Sequence, residues 1–276
     1  MVFPKNGHSW IVRRRICAAL FVVSASAAVA LFTGCASTEY SPMQAPELPK
    51  QWFGGVSAAY SANSVGGTFH SQSASAPDCN GFTGGSGSGA AIGISGNYLF
   101  RGDPKSSGVG VRITYQQMPG SFSAEYGPVT YFNNITGTPE QVAEQNLADV
   151  TYNVLDIRMM YDYAIPGSLA GVEIGPSIGI VSGMTIRQHL QIDQSVSPNV
   201  SFANGENDTT LSNGSPASQS GIRFGLWAGA HYKFNVGWGE IMPYVGYDLG
   251  LTKTLSTDSW SVSTLLIGVD ILYGIH

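Results

Sequence analysis

Charged residues are scarce in this sequence. Asp, Glu, Lys and Arg make up 11% of it, against about 25% in an ordinary soluble domain. The shortage is not disorder, because 12 Phe, 13 Tyr and 5 Trp stand among 43% hydrophobic residues, enough to build a core. Basic residues are fewer than acidic ones, 13 against 18. Phosphate backbones are bound by clustered Lys and Arg, so a nucleic-acid partner is excluded. Cysteine occurs three times, as Cys17, Cys35 and Cys79, with no Cys-x-x-Cys spacing, so neither a disulfide framework nor a thiolate metal centre is expected, and no motif implies a cofactor. Glycine, by contrast, is abundant at 35 of 276 residues. In a helix interior each Gly costs about 1 kcal/mol relative to Ala, which argues against a helical bundle and for an all-β chain.

Residues 1–35 read as an export leader. Lys5, Arg13, Arg14 and Arg15 form a basic region, Ile16 to Phe32 an apolar one, and small residues follow. The Ala/Ser-rich stretch from Ser24 to Ala30 is weakly hydrophobic, so cleavage is expected rather than retention as an anchor. The end of the segment, Leu31-Phe32-Thr33-Gly34-Cys35-Ala36-Ser37, resembles a bacterial lipobox, with Phe32 where that motif prefers Leu, Val or Ile. The resemblance implies acylation of Cys35; ordinary cleavage nearby is the alternative. Residues 36–50 contain Pro42, Pro46 and Pro49 among polar neighbours and read as an extended linker. Without the basic leader, nine positive charges remain against eighteen negative ones.

From residue 51 onwards the pattern becomes alternation. Val109, Val111, Ile113 and Tyr115 are apolar, while Gly110, Arg112, Thr114 and Gln116 between them are small or polar, as in a strand with two unlike faces. Such runs recur at Gln51–Ala62, Gly89–Arg101, Gly108–Gln117, Val150–Ile165, Gly171–Ile186, Gly221–Phe234, Glu240–Lys253 and Trp260–Ile275. Most reach or pass the roughly nine to eleven residues that a tilted strand needs to cross a hydrocarbon layer. The connections alternate between long (63–88, 118–149, 188–220) and short (102–107, 166–170, 235–239). Long loops at one end and tight turns at the other are the pattern of an up-and-down outer-membrane barrel. The expected fold is therefore an eight-stranded antiparallel up-and-down transmembrane β-barrel spanning 51–276, with long extracellular loops.

Where the charges fall decides which face meets which solvent. No ionisable acid or base interrupts faces such as Leu155, Ile157, Met159, Tyr161, Tyr163 or Leu265, Ile267, Val269, Ile271, Tyr273. The opposite faces carry Arg112, Asp156, Arg158, Asp162, Glu173, Arg223, Lys233, Asp248 and Asp270. These nine are expected to pair across a narrow lumen, because Arg or Lys at a lipid midplane costs about 2–4 kcal/mol. Aromatic residues towards strand ends, among them Tyr98, Phe100, Tyr161, Tyr163, Tyr232, Phe234, Trp238, Trp260 and Tyr273, suit interfacial girdles.

With the leader and the eight strands, the terminal run Leu266-Ile267-Gly268-Val269-Asp270-Ile271-Leu272-Tyr273 resembles the sorting signal of small bacterial outer-membrane β-barrel proteins, the outer-membrane protein β-barrel superfamily. Gly268, Ile271 and Tyr273 fit its pattern; Leu266 in place of a polar residue, and Gly274-Ile275-His276 after the aromatic, depart from it. The resemblance implies an outer-membrane location, contact with outer-membrane lipids, delivery by the barrel-assembly machinery, and an extracellular partner reached through the long loops. It implies a structural, surface-interaction or small-solute role.

Signs of catalysis are thin, and no catalytic or metal-binding residue is assigned. His70-Ser71 with Asp78 suggests a hydrolase, and His231 with Glu173 an acid/base pair, but polar loops and lumenal hydrogen bonding account for both. The Gly-rich run 81–93 lacks a following Lys-Ser/Thr and is no phosphate loop. Thr138-Pro139-Glu140-Gln141 has the form of a capping box, which predicts a short loop helix over Pro139–Asp149. Two other classes remain: a lipid-modifying barrel enzyme, and a soluble ligand-binding barrel lipoprotein.

Overall fold

A computed structural model describes residues 51–68, 81–216, 218–256 and 259–275. The leader, Cys35, the linker, and His70, Ser71, Asp78 and Cys79 lie outside the described residues. Within them are eleven strands and no helix: β1 (Trp52–Gly66), β2 (Gly85–Leu99), β3 (Gly108–Gln117), β4 (Gly120–Phe132), β5 (Pro139–Ala164), β6 (Ala170–Ile192), β7 (Asp208–Gly214), β8 (Ile222–Tyr232), β9 (Phe234–Asn235), β10 (Gly239–Gly250) and β11 (Ser261–Ile275).

Eight of these close into a ring of antiparallel pairs: β1 with β2, β2 with β3, β3 with β5, β5 with β6, β6 with β8, β8 with β10, β10 with β11, and β11 back to β1. Closure leaves the ring without a free edge, which satisfies its backbone hydrogen bonds internally. The turns 100–107, 165–169 and 236–238 lie at the same end as Trp52 and Ile275, which pair with each other. The longer connections leave the opposite end.

Alternation fixes what points where. In β5 every even-numbered residue from Val142 to Ala164 is buried, and the outward positions Leu155, Met159, Tyr161 and Tyr163 are exposed. From Leu155 to Ile165 the apolar run covers about 33 Å of strand, which at a tilt of about 40° gives a band roughly 25 Å tall. The band continues through Val109 and Val111 on β3, Ile174 and Ile180 on β6, Phe224 and Leu226 on β8, Val245 and Leu249 on β10, and Leu265 and Ile267 on β11. Aromatic rings border it at the turn end. Trp52 meets Tyr98 at 4.6 Å, Tyr98 meets Phe100 at 6.1 Å, Phe100 meets Tyr161 at 6.4 Å, Tyr232 meets Phe234 at 4.8 Å, and Trp238 stacks on Tyr273 at 6.4 Å between centroids. Trp260 is not in a girdle: it is buried, edge-on to Phe122 at 5.6 Å.

The expected helix over Pro139–Asp149 is instead the first part of β5. Val142, Glu144, Asn146 and Ala148 alternate inward with the same parity as the rest of the strand. Both edges are paired, to β4 on one side and, from Glu144 onwards, to β6 on the other. A capping signal is local and contributes only about 1 kcal/mol, so two ladders of strand pairing override it. Thr138 and Pro139 end a hairpin turn, in which Asn133 Oδ1 accepts from the N–H groups of Ile135 and Thr136 and Gly137 takes φ +66°. Of the long connections, 118–149 is thus mostly strand, filled by β4 and early β5, while the end of β6 and β7 lie within 188–220. Beyond the ring they form a four-stranded sheet in the order β4, β5, β6, β7.

Candidate functional site

The interior is built from the inward positions of all eight ring strands, and small residues make room for large ones. A Cβ on Gly246 would lie 2.4 Å from the Trp227 ring, and one on Gly225 would lie 2.4 Å from Ser177 Oγ and 2.5 Å from Asp248 Oδ1. Inward glycine is therefore the space in which a neighbouring strand's side chain sits.

All nine charged residues expected inside are buried, between 0 and 5% exposed. Arg112 is the hub. Its Nη2 donates to Asp270 Oδ2 at 2.7 Å, its Nε donates to the same oxygen at 3.2 Å, and its Nη1 lies 3.5 Å from Glu173 Oε2. The guanidinium lies 4.0 Å from the centroid of the Tyr244 ring. Asp270 also accepts from Ser95 Oγ, and Glu173 from Trp227 Nε1. A second group forms nearer the loop end. Arg223 Nη1 donates to Asp248 Oδ2 at 3.0 Å and Ser177 Oγ donates to Asp248 Oδ1 at 2.8 Å. Arg158 Nη2 donates to Gln116 Oε1 at 2.9 Å. Arg158 Nε approaches Asp156 Oδ2 to 2.7 Å without the alignment of a hydrogen bond. Towards the turn end, Lys233 Nζ donates to Asp162 Oδ2 at 2.5 Å, and His231 lies 3.4 Å from Asp162 and 3.8 Å from Glu173. The network joins residues of β3, β5, β6, β8, β10 and β11. Isolated charges in low dielectric are costly, so each of these requires its partner.

Apolar layers lie on both sides of this network. Phe53, Leu99, Met242 and Leu272 pack together at the turn end, each 6% exposed or less. At the loop end a larger cluster contains Val65, Phe82, Phe122, Val154, Met184, Leu255, Trp260 and Val262.

Three features escaped the sequence reading. Glu240, the second residue of β10, is fully buried and faces the interior; the even parity it shares with Met242, Tyr244 and Asp248 marks it as inward. Trp227 and Tyr244, the rings on which the arginines rest, also sit at inward positions. Beyond the ring, His189 Nδ1 lies 2.6 Å from Asp208 Oδ2 and Nε2 lies 3.5 Å from Asp149 Oδ2, joining β7 to β5 through β6. No periodicity signals that junction, because its partners are distant in sequence. Among the described residues no group of His, Cys, Asp and Glu is arranged to hold a metal ion.

No family model and no curated protein matches this chain. Among solved structures, it is similar to Ail, the attachment invasion locus protein of Yersinia pestis, solved in complex with the heparin analogue sucrose octasulfate (11% identity over 81% of this chain and 99% of that one, TM-score 0.30). It is also similar to Neisserial surface protein A (13% identity, 81% and 97% coverage, TM-score 0.29) and to the outer membrane protease OmpT of Escherichia coli (7% identity, 85% and 100% coverage, TM-score 0.29). The closed ring of pairings defines the fold of this chain independently of them.

Proposed function

We propose that this protein is an integral outer-membrane β-barrel with a plugged interior, and that it serves as an anchored platform for the sheet beyond the ring rather than as a pore or an enzyme. The observation that carries this reading is the sequence of layers inside. A buried ionic network lies between two apolar clusters, so the interior is occupied by side chains along its length. An eight-stranded ring is just wide enough to be filled in this way. The outer band, of hydrocarbon thickness and bordered by aromatic rings, supports lipid as its surroundings. His231 lies within the network and not at a rim, which counts against a lipid-modifying centre built on it.

Acylation of Cys35 and handling by the barrel-assembly machinery belong to the same proposal. A Cys35→Ser variant is expected to remain in the membrane fraction and to require detergent for extraction, because the strands hold it there. Its appearance folded in the aqueous fraction would replace this reading with that of a soluble lipoprotein. Purified protein added to planar bilayers is expected to insert without stable conductance steps, and reproducible ohmic steps would restore solute passage.

A further inference from the structure

The turn joining β4 to β5 and the connection from β6 to β7 merge into one head beyond the ring. Asn134 N–H donates to Asn199 O at 2.8 Å and Asn134 Nδ2 donates to Ser201 Oγ at 2.8 Å. Val142, Ile192 and Val200 form a small buried core of their own, with Tyr131 and Phe202 packed against it edge to face at 5.9 Å. The Tyr131 hydroxyl donates to Glu144. Asp193 Oδ1 accepts from the Ser195 N–H, and hydrogen bonds from Ser195 hold that exposed carboxyl below its ordinary pKa. The head is therefore formed in advance, and a partner does not have to meet the cost of ordering it.

Three large apolar side chains on this head do not join its core. Ile135 is 76% exposed, Val196 72% and Phe132 67%. They are far from the lipid-type band: Phe132 pairs with Pro139, which precedes Leu155 by about 50 Å of strand at roughly 3.3 Å per residue. Beside Val196 runs a cleft of about 180 Å³ lined by Val142, Ala143, Glu144, Gln145, Asp193 and Ser197. It offers apolar walls with the exposed Asp193 carboxylate at its edge, a combination that fits the aliphatic stem and cationic head of Lys or Arg, while the Glu144 side chain is buried against Tyr131. A second, more open recess contains Glu206 and Asp208. Across residues 131–146 and 190–210 there are five carboxylates and no Lys or Arg; Asp208 lies 2.6 Å from His189 and 3.7 Å from Arg187, and Glu144 is buried, so Asp193 and Glu206 carry the exposed negative charge.

We propose that this head is a docking surface for a cationic protein segment with apolar side chains between its basic ones. Ile135, Val196 and Phe132 supply the apolar contact, and the cleft edged by Asp193 receives a Lys or Arg side chain. The charge selects the occupant. Polyanions and anionic lipid surfaces are repelled, whereas a basic segment is attracted and steered. This inference rests on the platform reading above and adds the chemistry of the partner to it.

The test uses the full-length protein in nanodiscs of zwitterionic lipid, with empty nanodiscs as reference. The probes are three fluorescent twelve-residue peptides, one alternating Arg and Leu, one alternating Glu and Leu, and one alternating Arg and Ser. The Arg/Leu peptide is expected to bind, the Glu/Leu peptide not to bind, and the Arg/Ser peptide to bind about tenfold more weakly, since that factor corresponds to the burial of one or two apolar side chains. The surface variant Ile135→Ser/Val196→Ser/Glu206→Gln is expected to lose at least about tenfold in affinity for the Arg/Leu peptide. The same preparation must retain its urea midpoint, so that loss of binding is separated from loss of folding. Equal binding of both charge signs, no binding of the Arg/Leu peptide, an unchanged affinity in the variant, or preferential binding of anionic vesicles would each overturn the proposal. Any of these results obtained with protein that stays membrane-inserted and non-conducting removes the partner assignment alone and leaves the platform reading standing.

Discussion

Arg112→Met is expected to destabilise the barrel by about 3–5 kcal/mol in urea titrations of protein refolded into lipid vesicles, the cost of leaving buried charges without their partner. Methionine keeps an unbranched apolar stem in place and removes the guanidinium. Asp270 then loses two hydrogen bonds and Glu173 loses its nearest cation, and both carboxylates stay inside. The expectation rests on the breaking of the network, not on any large net gain from its formation, since buried ion pairs are often no better than well-packed apolar residues. A triple variant, Arg112→Met with Asp270→Asn and Glu173→Gln, is therefore expected to recover a large part of the loss. A single variant within about 1 kcal/mol of the parent would show that water reaches these groups and that the interior is open, because solvated pairs contribute only about that much.

Met159→Arg tests the outer face. Met159 is an outward residue of β5 midway along the apolar band, 45% exposed and paired with Val111 of β3. In a bilayer, arginine there is expected to cost about 2–4 kcal/mol, falling towards zero near the interfaces. Thr151→Arg, on the same face of the same strand but nearer the loop end, is the depth control and is expected to stay within about 0.5 kcal/mol. If water surrounded this surface, both substitutions would be neutral. The comparison therefore identifies the solvent of the band by its depth dependence, whatever anchors the N-terminus.

Much of the barrel could be read from the residues because its outward apolar face and inward polar face impose a period of two over long stretches. Arg112 lies between Val111 and Ile113, and Asp270 between Val269 and Ile271. Such neighbours mark one apolar face and one polar face, and all eight ring strands follow from that rule. The rule weakens where both faces of a strand meet water. β7 is rich in Ser, Thr and Asn, and β4 places apolar residues at both parities, Phe122 and Phe132 against Val129 and Tyr131, so no face stands out, and the Thr138-Pro139 signal then reads as a helix cap in the absence of the two ladders that hold β5 extended. Pairing across the interior was legible as a set of residues but not as contacts. That Arg112 joins Asp270 and Glu173, and Arg223 joins Asp248, depends on the stagger of the strands, which alternation alone does not supply. Glu240 has a readable parity and stands at the start of the expected strand Glu240–Lys253, but it is not among the inward charges expected from the sequence.

The seam between β1 and β11 pairs Trp52 with Ile275, residues separated by almost the whole described chain. Every other seam of the ring joins segments closer in sequence. Long-range pairing carries a loop-closure cost that local hairpins avoid, and it slows folding. The hairpins can therefore form early while the cylinder waits for its last strand, and until that strand arrives β1 presents an open edge. For this chain, closing that seam is therefore expected to be a late step of folding, with the ionic interior sealed from water once the first strand has met the last.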